Sequence, residues 1–127
     1  HIDLHPHNLL LTANDARIID IDSLKISRWP TAIGFCFYKL SRQAISFQGI
    51  KSIDLNEIKN FSASLSEHIN FSGNKSNLLL IGAMTEVMRR LLIILEQNLT
   101  NGTSEWNNVL EIQINAISEI NYFLKVL

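Results

Sequence analysis

The chain has 127 residues, of which 46% are hydrophobic and 18% charged, with a formal net charge of -1. This composition is typical of one globular domain or part of one, and the absence of a basic stripe gives no support for nucleic-acid binding. A single cysteine, Cys36, excludes an internal disulfide and suits a reducing compartment, so we expect a cytoplasmic protein. Cys36 stands among Gly34, Phe35, Phe37 and Tyr38, and we expect it in the core.

The first 22 residues carry the most specific pattern, HIDLHPHNLLLTANDARIIDID. His1, Asp3, Leu4 and Asn8 match the kinase catalytic-loop pattern H-R-D-L-x-x-x-N at every fixed position except the Arg, which is replaced by Ile2. Asp20 follows at the end of a second apolar run, where a kinase places its second metal-binding acid.

Phosphoryl transfer needs a base or positioner for the attacking hydroxyl and oxygen ligands for Mg²⁺. Asp3 can serve the hydroxyl, while the Asn8 amide and the Asp20 carboxylate can bind metal, because Mg²⁺ prefers a few hard oxygen ligands. The sequence therefore predicts Asp3 as the catalytic group and Asn8 and Asp20 as metal ligands.

A short β-hairpin is predicted to hold these ligands together. Leu9–Leu11 and Ile18-Ile19 are apolar runs separated by the turn cluster Thr12-Ala13-Asn14-Asp15. Asn8 would begin one strand and Asp20 would end the other, at the same end of the ladder.

Together these segments resemble the aminoglycoside phosphotransferase and choline kinase-like family, which has a protein-kinase-like fold. The resemblance rests on HIDLHPHN and IIDID and covers about one sixth of the chain. It implies the catalytic base at Asp3, metal ligands at Asn8 and Asp20, and a structural brace of the loop at His1. His5 and Asp22 are implied as possible phosphate or metal neighbours, with Mg²⁺ as cofactor and ATP as co-substrate.

Other interpretations of the same residues stay open. His5 and His7 also suit a loop surface, since Pro6 forces an extended or turn geometry, and Asp22 suits a helix N-cap. The cluster His1, Asp3, His5 and His7 invites a transition-metal site, but this alternative leaves Asn8 and Asp20 unexplained.

The rest of the chain predicts about four helices, near residues 31–46, 55–69, 75–98 and 103–126. Pro30 suits the first turn of the first helix, and Phe47 to Ile53 suggests a loop. Asp54 is the predicted N-cap of the second helix, Gly73 and Asn74 break the chain before the third, and Asn101-Gly102 ends it. Thr103 or Ser104 is expected to cap the fourth.

Hydrophobic spacing predicts which helical side chains form the core. In the first helix Ile33, Phe37 and Leu40 share a face, opposite Lys39, Arg42 and Gln43. The predicted core of the second helix is Leu55, Ile58, Phe61, Leu65 and Ile69, and that of the fourth is Trp106, Leu110, Ile114, Ile117 and Phe123.

Charged residues of the helical region bear on membrane insertion and on substrate recognition. Glu86, Arg89 and Arg90 interrupt the apolar run Leu78–Leu95, which argues against a membrane span. In the family that the chain resembles, acids on the helices after the metal-binding loop recognise amines. The candidates here are Glu57, Glu67, Glu86 and Glu105, which resemble ordinary solvated helix charges, and we assign none of them to substrate recognition.

The expected fold is therefore mainly α: a catalytic loop and hairpin within residues 1–24, then a helical subdomain over 31–127, as part of a kinase-like C-terminal lobe. The chain begins inside the motif and contains no G-x-G-x-x-G, so we expect a fragment without the N-terminal ATP-binding lobe, inactive alone.

The expected function of the parent is ATP- and Mg²⁺-dependent transfer of phosphate to a hydroxyl of a small molecule, such as an aminoglycoside, choline or a sugar. Alternatives are a bacterial sugar or lipopolysaccharide-core kinase and a non-catalytic helical module. A protein kinase is disfavoured by Ile2 and by the short connector without A-P-E. The sequence leaves the oligomeric state open.

Overall fold

A two-stranded antiparallel hairpin opens the structure, a computed structural model that describes residues 1, 3–48, 55–102 and 106–127. Strand β1 (Leu9–Leu11) pairs with β2 (Ala16–Ile18), with Leu9 opposite Ile18 and Leu11 opposite Ala16. The Thr12 N–H donates to the Asp15 carbonyl oxygen at 2.8 Å and closes the turn. The hairpin predicted from the two apolar runs is confirmed.

Within the described ranges, four α-helices follow the hairpin, as the apolar spacing predicted: α1 (Trp29–Gln48), α2 (Leu55–Glu67), α3 (Lys75–Asn101) and α4 (Asn107–Val126). The prediction that a loop begins at Phe47 was wrong, because α1 continues through Gln48. The rest of that proposed loop, the Asp54 cap and the Thr103 or Ser104 cap lie outside the described residues.

Two predicted chain breaks delimit α3. The Asn74 side chain accepts a hydrogen bond from the Asn77 N–H at 3.1 Å, which satisfies one donor of the first turn. At the other end Gly102 has φ 61°, and its N–H donates to the Asn98 carbonyl oxygen at 3.0 Å. Gly suits this left-handed C-terminal position because it has no Cβ.

Helix α3 packs against each of the other helices and is closest to α1. Two glycines make this approach possible. A Cβ on Gly34 would lie 2.0 Å from the Leu79 carbonyl oxygen, and a Cβ on Gly82 would lie 1.8 Å from the Pro30 carbonyl oxygen. The backbones of α1 and α3 are therefore in direct contact at this crossing, which no sequence pattern indicated.

The core lies between α3 and its three neighbours, and its largest fully buried side chains come from α1, α3 and α4: Phe35, Phe37, Tyr38, Leu79, Leu80, Ile120 and Phe123. In α2 the predicted core face is largely correct, with Ile58 buried and Phe61 and Leu65 packed against the core, and Ile69 is buried just beyond the end of the helix. Cys36 was expected to be fully buried in the core, but it is only partly buried.

The predicted core of α4 was partly wrong. Trp106 and Ile114 are 42% and 51% exposed, whereas Gln113, Ala116 and Ile120 are buried beside Phe123. Small and polar residues therefore occupy part of the buried face of α4, and the positions of apolar residues alone do not identify that face. Within the described part of the chain, none of the helices has the length and apolar character needed to cross a membrane.

Candidate functional site

The hairpin brings Asn8 and Asp20 to the same end of the ladder. Asn8 ends a short 3₁₀ turn over Pro6–Asn8, in which its N–H donates to the His5 carbonyl oxygen at 2.9 Å. The Ile19 N–H then donates to the Asn8 carbonyl oxygen at 2.9 Å and extends the pairing one step beyond the strands. Asp20 follows directly, so the two residues lie side by side.

The Asn8 amide is the centre of this contact. Its Nδ2 donates to Asp20 Oδ2 at 3.3 Å and to the Asp3 carbonyl oxygen at 3.1 Å. The residue is 7% exposed. Both amide hydrogens are thus used inside the loop, which leaves the amide oxygen as the atom suited to a cation.

Asp20 has an unusual backbone conformation, with φ 62° and ψ 55°. It is the only non-glycine residue with positive φ among the described residues. Such a conformation costs on the order of 1 kcal/mol and is concentrated at functional sites, although Asp tolerates it better than most residues. His1 Nε2 lies 2.9 Å from the Asp20 carbonyl oxygen and holds this strained residue from the other side.

The Asp3 side chain contacts an arginine of α3 and a histidine of the same loop. Its Oδ1 accepts a hydrogen bond from the Arg90 guanidinium of α3 at 3.1 Å, and its Oδ2 is 3.9 Å from His5 Nε2. Asp3 therefore joins the predicted metal ligands through its main-chain carbonyl, while its carboxylate faces α3 and His5.

Arg90 connects Asp3 to a fully buried acid, Glu86, which is 0% exposed. Arg90 Nε donates to Glu86 Oε1 at 2.8 Å, and the Arg90 guanidinium carbon lies 4.3 Å from the centre of the Phe35 ring. Arg89 contributes two further hydrogen bonds to Glu86, at 2.7 and 2.8 Å.

The interpretation of Glu86 as a solvated helix charge was therefore wrong. Burial alone would raise the pKa of Glu86, but the hydrogen bonds and charges of Arg89 and Arg90 outweigh it and lower the pKa below its usual value. The Glu86 hydrogen bond in turn raises the pKa of Arg89. Arginines three and four residues after a glutamate were the sequence signal for this network.

A pocket of about 350 Å³ lies between the loop and α1, lined by His5, His7, Lys39, Arg42 and Gln43. The two histidine rings are in edge contact, with centroids 5.5 Å apart. Lys39, Arg42 and Gln43 were expected on the polar face of the first helix, and the sequence did not indicate that this face meets the loop that carries His5 and His7.

One wall of the pocket is held by α4. Glu119 accepts a 2.5 Å hydrogen bond from the Tyr38 hydroxyl and pairs with Arg42 Nε at 2.9 Å. Burial, together with the Glu119 hydrogen bond, raises the pKa of Tyr38 well above its ordinary value. Burial also raises the pKa of the Cys36 thiol to about 11, which makes this cysteine a poor nucleophile at neutral pH.

The structure also bears on Asp22 and on the alternative of a transition-metal site. Asp22 is exposed in a short 3₁₀ turn over Ile21–Ser23, two residues after Asp20. No group of three His, Cys, Asp or Glu side chains in the described part of the chain is arranged to hold a metal ion. The transition-metal cluster considered for His1, Asp3, His5 and His7 thus finds no support in the described geometry.

Comparisons with protein-family models, with curated proteins and with solved structures found no match to this chain.

Proposed function

We propose that this chain forms the C-terminal, kinase-like part of an ATP- and Mg²⁺-dependent phosphotransferase that acts on a hydroxyl of a small molecule. An amino sugar, an amino alcohol or a sugar is the acceptor class. The observation that carries the proposal is the contact between Asn8 and Asp20, twelve residues apart, at the end of a hairpin that starts from the Asp3 loop.

The donor set fits Mg²⁺. Asp20 offers a carboxylate and Asn8 an amide oxygen, and this ion commonly takes one or two protein oxygen ligands and completes its shell with water and phosphate. When bound, Mg²⁺ would neutralise charge on the phosphates. The strained backbone of Asp20, held by His1, keeps the carboxylate in place beside Asn8.

Asp3 is the proposed base or positioner for the acceptor hydroxyl. Its carboxylate pairs with Arg90 at 3.1 Å and lies 3.9 Å from His5, which lines the pocket. Arg90 is then a positioning residue: it fixes one carboxylate oxygen through a hydrogen bond and leaves the second oxygen for the acceptor. Because Arg90 is itself held by the buried Glu86, this orientation is set by the helical core.

Mg²⁺ binding is the first test, and the Asn8 side-chain amide is a direct reporter in a nitrogen–proton NMR spectrum. Titration of Mg²⁺ should shift the Asn8 side-chain signal and the backbone signals around Asp20. Asp20→Asn should abolish these shifts, since Asn keeps both the shape and the tolerance for positive φ but removes the charge.

The matched control for this titration is Asp15→Asn, which removes a carboxylate at the opposite end of the hairpin. Asp15 pairs with Arg17 at 3.0 Å in an exposed position. This variant should titrate like the wild type. Shifts that persist in Asp20→Asn, or that appear only around Asp15, would remove the magnesium site from the proposal.

Turnover is the second test and belongs in the full-length natural protein. Asp3→Asn should lower kcat by at least about 100-fold, the usual contribution of a positioned acid or base, while nucleotide affinity is kept. A kcat equal to that of the wild type would favour the alternative, a non-catalytic kinase-like helical module. A panel of sugars, amino sugars and choline would separate the amino-alcohol class from a bacterial sugar or lipopolysaccharide-core kinase.

A further inference from the structure

The pocket between the loop and α1 holds more cationic than anionic groups. Lys39 and Arg42 line it, and Arg42 and the neighbouring Arg90 pair with two carboxylates, Glu119 and Asp3. Each carboxylate has an arginine partner within hydrogen-bonding distance. Lys39 is the surplus cation of this set.

Lys39 is held in the pocket wall at an electrostatic cost. Burial lowers the pKa of Lys39, and the charges of Arg90 and Arg42 lower it further, while Asp3 opposes them. Its Nζ lies 5.5 Å from the centre of the Phe35 ring, which offsets only part of this cost. An anion placed in the pocket would stabilise the charged form of Lys39.

The other lining groups suit an oxyanion with attached hydroxyls. Gln43 supplies an amide donor, Arg42 a guanidinium, and His5 and His7 ring nitrogens that can donate. Glu119 fixes the Arg42 side chain by its 2.9 Å ion pair, so this cation is already oriented. A volume of about 350 Å³ is at the lower end of small-molecule sites and matches a monosaccharide better than a nucleotide.

We propose that this pocket is an anion subsite that takes the phosphate or carboxylate group of a small, hydroxyl-bearing acid. Its assignment as the acceptor subsite rests on the function proposed above, because His5 lies 3.9 Å from the Asp3 carboxylate that would face the acceptor hydroxyl. Among the acceptors proposed above, the pocket favours the sugars, as a sugar phosphate or a sugar acid, over amino sugars and amino alcohols, because its surplus positive charge disfavours a cationic amine.

The test is an NMR titration of the chain with glucose 6-phosphate, glucuronate, glucose, choline and inorganic phosphate, without Mg²⁺ or nucleotide. The two sugar acids should shift the signals of His5, His7, Gln43 and their neighbours, whereas glucose and choline should not. Lys39→Met should weaken the binding of both acids at least tenfold, and Lys39→Arg should restore most of it.

Lys59→Met is the matched control, since Lys59 is an exposed lysine of α2, and it should bind both acids like the wild type. Lys39→Met should fold, because burial disfavours the charged form of Lys39 and lowers its pKa, so that loss of the charge relieves an unfavourable interaction. A Tm no lower than that of the wild type checks this.

Three results would overturn the proposal: no shift with either acid, equal binding of glucose, or acid binding unaffected by Lys39→Met. Inorganic phosphate that binds more tightly than both sugar acids would assign the pocket to free or nucleotide phosphate and overturn the acceptor class. The Asp20→Asn variant should bind the acids normally, so a failed magnesium site and a failed anion subsite are distinguishable.

Discussion

Glu86 illustrates how a single buried charge can both stabilise the helical core and fix a residue of the proposed site. Its carboxylate receives three hydrogen bonds from Arg89 and Arg90, and Arg90 continues to Asp3. Removing one partner of a buried ion pair is much more costly than removing a surface pair, because the remaining charges lose their compensation. The position therefore gives a sharp stability test.

Glu86→Gln should lower the free energy of unfolding at neutral pH by about 3 kcal/mol, as expected for a broken buried ion pair. The pKa of Glu86 is lowered in the folded state, so its stabilisation is complete above the unfolded value of about 4.5 and is lost as pH falls through the folded value. Urea unfolding at several pH values should show the difference between wild type and variant shrinking below about pH 4.5.

Glu96→Gln provides the comparison for this measurement, because Glu96 is an exposed acid on the same helix. It should change the unfolding free energy by less than about 0.5 kcal/mol. The lowered pKa would be contradicted if the difference in unfolding free energy between the wild type and Glu86→Gln stayed constant from neutral to acid pH.

At the scale of elements, the α1–α3 crossing depends on Gly34 and Gly82. Gly34→Ala or Gly82→Ala should each lower the unfolding free energy by about 3 kcal/mol or more, because the new methyl group meets backbone atoms that cannot move aside alone. Chemical denaturation measures this change. Gly73→Ala is the control: the atoms nearest to its methyl group would belong to the Phe71 ring, a side chain that can rotate away.

The two glycine substitutions should also be non-additive, since both act on the same helix crossing. Once one methyl group has separated the helices, the second should cost less than it does alone. Losses that add fully would indicate that the two sites accommodate the methyl groups independently, without separating the helices.

Local patterns in the sequence were sufficient to predict the elements, but tertiary contacts decided their details. Apolar runs around a turn predicted the hairpin, and Asn74 and Gly102 marked the ends of α3 through their cap chemistry. The burial of Gln113 and Ala116 in α4 could not be predicted, because it depends on which neighbour the helix faces. Gly34 likewise gains its role only from the backbone of α3.

The candidate site was predictable to the same extent. The spacing of Asn8 and Asp20 around a hairpin indicated that they would meet, and the structure places their side chains 3.3 Å apart. The partners of Asp3 were not predictable, since Arg90 follows it by 87 positions. For the same reason Lys39 and Gln43 were known only as the polar face of a helix, and their common pocket with His5 required the fold.

At the scale of the whole molecule, the hairpin and the helical core should differ strongly in local stability. The side chains of β1 and β2 are mostly exposed, including Leu10 and Leu11, whereas α3 is enclosed by three helices. Two strands without an apolar face to pack on are marginally stable. The Asp3–Arg90 ion pair at 3.1 Å is therefore one of the contacts that connect the loop with the proposed ligands to the helical core.

Native-state hydrogen exchange should show this difference. Amides of β1 and β2 should exchange at least about 100-fold faster than those around Leu80 and Val87 in α3, because local opening of the hairpin does not require global unfolding. Addition of Mg²⁺ should slow the hairpin amides if Asn8 and Asp20 bind it. Equal protection of hairpin and core would show that the hairpin is more strongly anchored than its contacts indicate.

The Glu119 carboxylate, which joins Tyr38 and Arg42 of α1 to α4, has a consequence for how ligand preference can evolve. Glu119, in α4, orients the Arg42 guanidinium of the pocket, although Glu119 itself is not among the residues that line the pocket. Selectivity can therefore drift through exchanges in the last helix while every cavity-lining side chain keeps its identity, and two chains with the same lining could prefer different small molecules.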